Sequence, residues 1–228
     1  YQQALTLHMM PINLIGVAIS NAAFPKLTER LGEGRDDLFR SDLRQILRVI
    51  IWLALPVATI TFFTRGYVVH FIRNAGDPLM AGILGALCIA ILFRTIYHMA
   101  ARAFYARQDT KTPLYISFVS MGLNVILAIL LSTIFGMGAY GLAWAQSIVA
   151  VVEVAILFVV MERQMPKLID KKFTGAIWRM AASTLATGVV CYGAVLMLPF
   201  RELDNSFYSA FPRFVAIVLI SFVAYGIM

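Results

Sequence analysis

Arg94, His98 and Arg102 recur every four residues. On a helix that spacing places three basic side chains on one face, each a turn above the last. They follow an uncharged apolar run, LMAGILGALCIAILF at residues 79–93. An ionisable side chain inside such a helix is costly in lipid, so it faces a protein interior or a wet cavity. A guanidinium grips phosphate through paired donors, and an imidazole adds a charge that depends on pH. The stripe therefore predicts a binding path for an anion, with Arg94, His98 and Arg102 as its ligands. The alternative for Arg94 is a structural ion pair with Glu153, and for Arg102 a stem that snorkels to the interface. Asn13, Asn124 and Glu153 are further polar residues in apolar stretches, suited either to the same cavity or to bonds between helices.

The elements that carry these residues follow from composition. The chain is 61% hydrophobic and 14% charged, against roughly half and a quarter for soluble domains. Its apolar residues fall in helix-length runs, which predicts an all-α, polytopic membrane bundle of about seven spans. The net charge of +7 fits basic loops on the inner membrane face better than nucleic-acid binding, and no nucleic-acid partner is expected. Cys88 and Cys191 sit in apolar runs without metal-type spacing, so neither a metal nor a cofactor is expected. There is no Ser-His-Asp set, HExxH or phosphate-cradling Gly-rich loop, and His8, His70 and His98 fall on different elements. The reading is a transporter, not an enzyme. Tyr1 in place of an initiator Met, and an apolar run reaching Met228, read as a piece of a longer protein.

Spans are predicted over about 4–24 with Pro11 inside, 49–64 with Pro56, from 79 after the Asp77-Pro78 helix start, 112–135, 139–161, 175–198, and from 210. Thr112 is the expected cap of the fourth, with Pro113 in its first turn and Ser117, Ser120 and Asn124 along one face. Residues 36–48 separate an apolar stripe, including Phe39, Leu43 and Leu47, from Arg40, Arg44 and Arg48. That pattern predicts an amphipathic helix on the membrane surface. Lys and Arg gather after the first, third and fifth spans, at Lys26, Arg30, Arg35, Arg107, Lys111, Arg163, Lys167, Lys171 and Lys172 among others. The opposite side holds only Arg65, Arg73, Arg201 and Arg213. The basic side is thus expected in the cytoplasm.

The segment AFYARQDTKTP at 103–113, with Pro11, LIGVAIS at 14–20, Pro25-Lys26-Leu27 and LALP at 53–56, resembles the lipid II flippases of the MurJ/MviN family. These belong to the multidrug/oligosaccharidyl-lipid/polysaccharide exporter superfamily. The resemblance spans essentially the whole chain and implies helices eight to fourteen of a fourteen-helix fold. Residues 1–163 would supply five helices of the C-terminal six-helix bundle, and 164–228 two additional helices that form a groove for a lipid tail. The N-terminal half of the same protein would complete the cavity. The implied activity is alternating-access movement of a polyprenyl-pyrophosphate-linked peptidoglycan precursor from the inner to the outer leaflet of the bacterial cytoplasmic membrane. Membrane lipids would be its other partners. The family's Ala-Asp-Arg in the first helix is here Ala4-Leu5-Thr6, with Met9 where an acid is common. Another lipid-linked oligosaccharide as substrate, or a transport-inactive structural protein of the same fold, are the alternatives. A cation-coupled drug exporter would call for acidic, not basic, cavity residues.

The charge bias makes a testable topology. Single cysteines at Lys111 and Lys171 should react with impermeant thiol reagents only from the cytoplasmic side, and one at Met137 only from outside. Labelling of position 137 from the cytoplasm alone would reverse the orientation.

Overall fold

Asp77 starts the helix on which most of the others pack. Its Oδ1 accepts hydrogen bonds from the Leu79 and Met80 N–H groups at 3.0 and 3.2 Å, and Pro78 occupies the first turn. The computed structural model describes residues 1–73, 77–166, 168–197 and 207–227, so Lys167 and Arg201 of the charge bias lie outside the described residues. The described residues form seven helices: α1 (Gln2–Gly32), α2 (Asp36–Arg73), α3 (Pro78–Ala106), α4 (Lys111–Ile134), α5 (Ala139–Gln164), α6 (Lys171–Met197) and α7 (Phe207–Ile227). Each contains a stretch long and apolar enough to cross a membrane. The expected all-α membrane bundle is therefore present.

α3 is the most enclosed helix, with α1, α2 and α5 around it. At the Lys/Arg-rich end, Phe39, Leu47, Met99, Phe104, Leu157 and Met161 form the main apolar core. A second cluster, with Ala4, Val69, Met80, Leu84 and Ala143, fills the other end. Between α3 and α5 the contact is made of small residues, among them Ala86, Ala90, Ala143 and Ala150, all nearly or fully buried. The Ser147 hydroxyl donates across it to the Ala86 carbonyl at 2.6 Å. Close backbone approach and an interhelical hydrogen bond are what bind helices in lipid, where no hydrophobic force drives them together.

Three local expectations are corrected. α1 does not stop near Phe24 but continues through Pro25 to Gly32. A proline removes one helix hydrogen bond without forcing an end, and in α1 a π-helical segment (Ile12–Val17) follows Pro11 directly. The surface helix expected over 36–48 is not a separate element. It runs unbroken into the second span, because no Gly or Pro lies between Asp36 and Leu55 and the stripe of Phe39, Leu43 and Leu47 continues in register into Ile50 and Ala54. That stripe is buried in protein, Phe39 being 1% exposed. α2 also extends past Thr64 to Arg73, since Tyr67, Val69 and His70 are buried and hold that end helical.

Gly136 and Gly138, with φ of 65° and 54°, make the left-handed turn joining α4 to α5. Just beyond it, a Cβ on Gly141 would lie 2.6 Å from the Leu131 carbonyl carbon and 2.6 Å from the Ser132 nitrogen. Those are backbone atoms that no rotamer change can clear. Gly141→Ala should cost about 1–3 kcal/mol as an overpacked contact. Gly122→Ala, with nothing within 4 Å of its Cβ, should be tolerated. Unfolding temperatures in detergent would separate the two, and equal values would contradict the packing.

Candidate functional site

Arg94 lies deep in α3, about 20 Å along the axis from Arg107. Its Nη1 is 3.5 Å from Oε2 of Glu153 on α5. The Glu153 side chain is 4% exposed and that of Arg94 29%. The carboxylate is thus enclosed while part of the arginine side chain stays accessible. Ser117 of α4 donates to Glu153 Oε1 at 3.5 Å, and Tyr97 shares a 2.8 Å hydrogen bond with Ser117. Three helices therefore meet on one carboxylate. A buried carboxylate needs such partners, since its ionised form is otherwise penalised heavily. Of the polar face predicted on α4, Ser117 turns to this cluster, and Asn124 donates to Gln146 of α5 at 2.9 Å.

One turn below Arg94, His98 is half-buried and has no hydrogen bond or ion pair among the described residues; the Tyr97 ring meets it edge-on at 6.0 Å. One turn further, Arg102 donates to Asn21 Oδ1 at 2.6 Å and lies over the Phe24 ring of α1 at 5.5 Å. The three bases share one face, with α1 on one side and α5 on the other. Neighbours at the same levels, Thr95, Ile96, Met99, Ala100 and Ala101, are buried. Asn13 is exposed on the π-helical segment of α1 and joins none of these groups. Sequence reasoning missed Tyr97, Asn21 and His8. His8 is 1% exposed, with Nδ1 2.6 Å from the Leu5 carbonyl and Nε2 unpartnered. Residue order offers only a weak signal for them: His8 and Asn21 are polar residues in the apolar first span, and Tyr97 is marked by nothing beyond its place beside His98.

The signature segment forms the turn that ends α3. Arg107, Gln108 and Asp109 donate their N–H groups to the last carbonyls of α3, and Gln108 adopts a left-handed φ of 62°. Thr110 stands at the N-cap position of α4, and the side chain that caps its first turn is Asp109, not Thr112 as expected: Oδ1 accepts from the Thr112 N–H at 3.0 Å and Oδ2 from the Thr112 hydroxyl at 2.6 Å. Aspartate wins because a carboxylate offers two acceptors where a hydroxyl offers one group.

The family model described as Lipid II flippase MurJ matches residues 1–226. This chain belongs to the lipid II flippase MurJ family. It is similar to the probable lipid II flippase MurJ of Thermotoga maritima, 25% identical over 195 residues, covering 83% of this chain and 38% of that protein. The counterpart in Vibrio cholerae is 26% identical over 200 residues, covering 82% and 35%. That of Haemophilus influenzae is 30% identical over 171 residues, covering 65% and 31%. The chain thus spans about a third of the length of these curated relatives. A solved structure of lipid II flippase MurJ in an inward closed conformation shares its fold, with a TM-score of 0.79 at 22% identity over 99% of this chain and 45% of that one. The MurJ fold is a fourteen-helix bundle, of which this chain forms seven. Family and hydropathy together make it a multi-pass protein of the bacterial inner membrane. Its family is one of transporters.

Burial alone would raise the Asp109 carboxyl, but the hydrogen bonds from the Thr112 hydroxyl and N–H, Gln164 and the Lys111 N–H outweigh it and hold the carboxyl below its usual value. A carboxyl lowered by folding contributes stability that is present above its unfolded value, about 3.9, and is lost as pH falls through the lower folded value. Asp109→Ala should cost about 1 kcal/mol at neutral pH, as caps do. Asp109→Asn, which keeps one acceptor, should cost less. The gap between wild type and Asp109→Ala should narrow as pH falls below 4, read from unfolding temperatures; a gap that widens on acidification would contradict the assignment.

Proposed function

We propose that this chain is the C-terminal half of a flippase that carries a polyprenyl-pyrophosphate-linked peptidoglycan precursor, lipid II, from the inner to the outer leaflet. The family match supplies the substrate class and the alternating-access scheme. One observation carries the assignment of the site: Arg94, His98 and Arg102 stay part-exposed on one face of α3 while Thr95, Ile96, Met99, Ala100 and Ala101 at the same levels are buried. In the whole protein that face would line the central cavity, opposite the N-terminal half. Pyrophosphate would meet the donors of Arg94 that Glu153 leaves unused, since a guanidinium carries five N–H groups and the ion pair occupies one end. Glu153 would fix the guanidinium plane, Arg102 would extend the positive path toward the Lys/Arg-rich side, and His98 would supply a charge that varies with pH. The lipid tail would remain in the bilayer, with α6 and α7 forming the two additional helices beside the bundle. Thr6, standing where the family carries a cavity arginine, favours a second reading in which the cargo is another polyprenyl-linked glycan.

Charge reversal separates a binding role from a structural one. Arg94→Ala leaves Glu153 enclosed without its cation, a loss of roughly 3–5 kcal/mol for a buried pair, so expression should fall. Arg94→Glu combined with Glu153→Arg should restore expression in the full-length protein but not lipid flipping, because a carboxylate then faces the phosphates. Recovery of both together would make the pair structural. Full flipping by Arg94→Ala at normal expression would remove Arg94 from the site.

A further inference from the structure

On the far side of α3 from the basic stripe, a cavity of about 490 Å³ opens between α2, α3 and α5. That volume falls within the roughly 300–1,000 Å³ of small-molecule sites. Leu55, Ala58, Ile89, Leu92 and Phe93 are among the apolar residues lining it. It runs from Gly82 to Phe93 on α3, about 17 Å at the rise of a helix. Phe62, Ile89 and Trp144 at its edge are 40%, 40% and 39% exposed, so it opens sideways within the membrane-spanning part of the bundle. An apolar slot open to lipid is filled by lipid or by protein, because water has no partners there.

The charge at its rim selects the occupant. Arg65 lies with its Cδ 3.1 Å from the point where a Gly85 Cβ would stand, so the missing side chain is what lets the arginine stem lie flat. Its Nη1 donates to the Phe62 carbonyl at 2.7 Å, and the guanidinium sits 4.5 Å from the centre of the Phe62 ring. Among the described residues it has no carboxylate partner. The cation is held in place yet not neutralised. α3, at about 43 Å, exceeds the hydrocarbon core of about 30 Å, so Gly85, about 10 Å from the start of α3, falls near the level where acyl chains meet headgroups. We propose that this cavity holds an acyl chain of an anionic phospholipid, with Arg65 binding the phosphate. The site lies away from Arg94 and needs no transport to form.

The test uses the full-length protein in vesicles, with Trp144 as its only tryptophan and the others, including Trp52 and Trp178, changed to phenylalanine. Brominated acyl chains quench tryptophan on contact. Brominated phosphatidylglycerol should compete for Trp144 about fivefold better than brominated phosphatidylcholine, the preference one basic residue confers near the membrane surface. Arg65→Gln should bring the two lipids to parity at an unchanged unfolding temperature, and Arg65→Lys should keep a preference. Ala58→Leu, which fills the slot, should reduce quenching by both. Equal quenching by the two lipids in the native protein would mean only ordinary boundary lipid. No quenching by either would mean that another segment of the protein covers the cavity. Displacement of phosphatidylglycerol by an equal mole fraction of undecaprenyl pyrophosphate would make it part of the substrate route. Each of these three results overturns the proposal.

Discussion

A guanidinium deep in an apolar helix cannot be left to lipid, and much of this bundle is arranged around that constraint. Arg94 needs an opposite charge, and Glu153 on α5 provides it at 3.5 Å. The carboxylate in turn needs further donors, which brings Ser117 of α4 and, through it, Tyr97. A salt bridge of this kind is weak evidence for stability, because desolvating two ions offsets most of their attraction. Its stronger consequence is registry. With Arg94 on Glu153, and Ser147 on the Ala86 carbonyl, α3 and α5 have one relative position along their axes. The alanine-rich contact between them permits the backbone approach that both bonds require.

The same constraint explains how much of the molecule was legible in its residue order. Hydropathy alone places seven spans, since each must carry enough apolar residues to cross the bilayer. The spacing of Arg94, His98 and Arg102 places them on one face without any structure, and Glu153 is the natural partner for Arg94 because it is the one acid inside an apolar run. What order alone does not show is which helices become neighbours. The hydrogen bond from Arg102 to Asn21 joins residues 81 positions apart, and that from Tyr97 to Ser117 depends on how α3 and α4 turn about each other. Helix ends were less legible for a different reason. Pro25 and the boundary between Arg48 and Val49 look like stops because composition changes there, yet the buried stripe continues across both.

The basic stripe at the start of α2 shows how one pattern serves two environments. Arg40, Arg44 and Arg48 are spaced as in a helix resting on anionic lipid. In the structure Arg40 donates to the Pro166 carbonyl at 3.3 Å, Arg44 lies 3.9 Å from Asp170, and Arg48 sits 5.7 Å from the centre of the Phe173 ring. All three partners belong to the α5–α6 connection or the first turn of α6. Exposed contacts of this type contribute at most about 1 kcal/mol each. The apolar residues beneath them, Phe39, Leu43, Leu47, Met165, Leu168 and Phe173, supply most of the adhesion. The arginines add direction to a contact that burial alone leaves free to slide.

α2 therefore holds two attachments at once. Near its start it grips the entrance to α6, and near its middle Thr59 and Phe63 fill the hollow beside Gly188 of α6, with the Phe63 ring 3.3 Å from where a Cβ would stand. Along its length it also packs on α3. A helix fixed at two levels resists rotation far better than one fixed at a single level, because any turn about its axis breaks contacts at both. Relative movement is cheapest where the contacts are sparse, and α4 is the clearest case. Its span is only 11% buried and it meets α3 at few points, its firm attachments being to α5. Among the described residues α2, α3, α5 and α6 are linked by extensive packing, whereas α4 is joined mainly to α5, and α1 departs from regular hydrogen bonding in its π-helical segment.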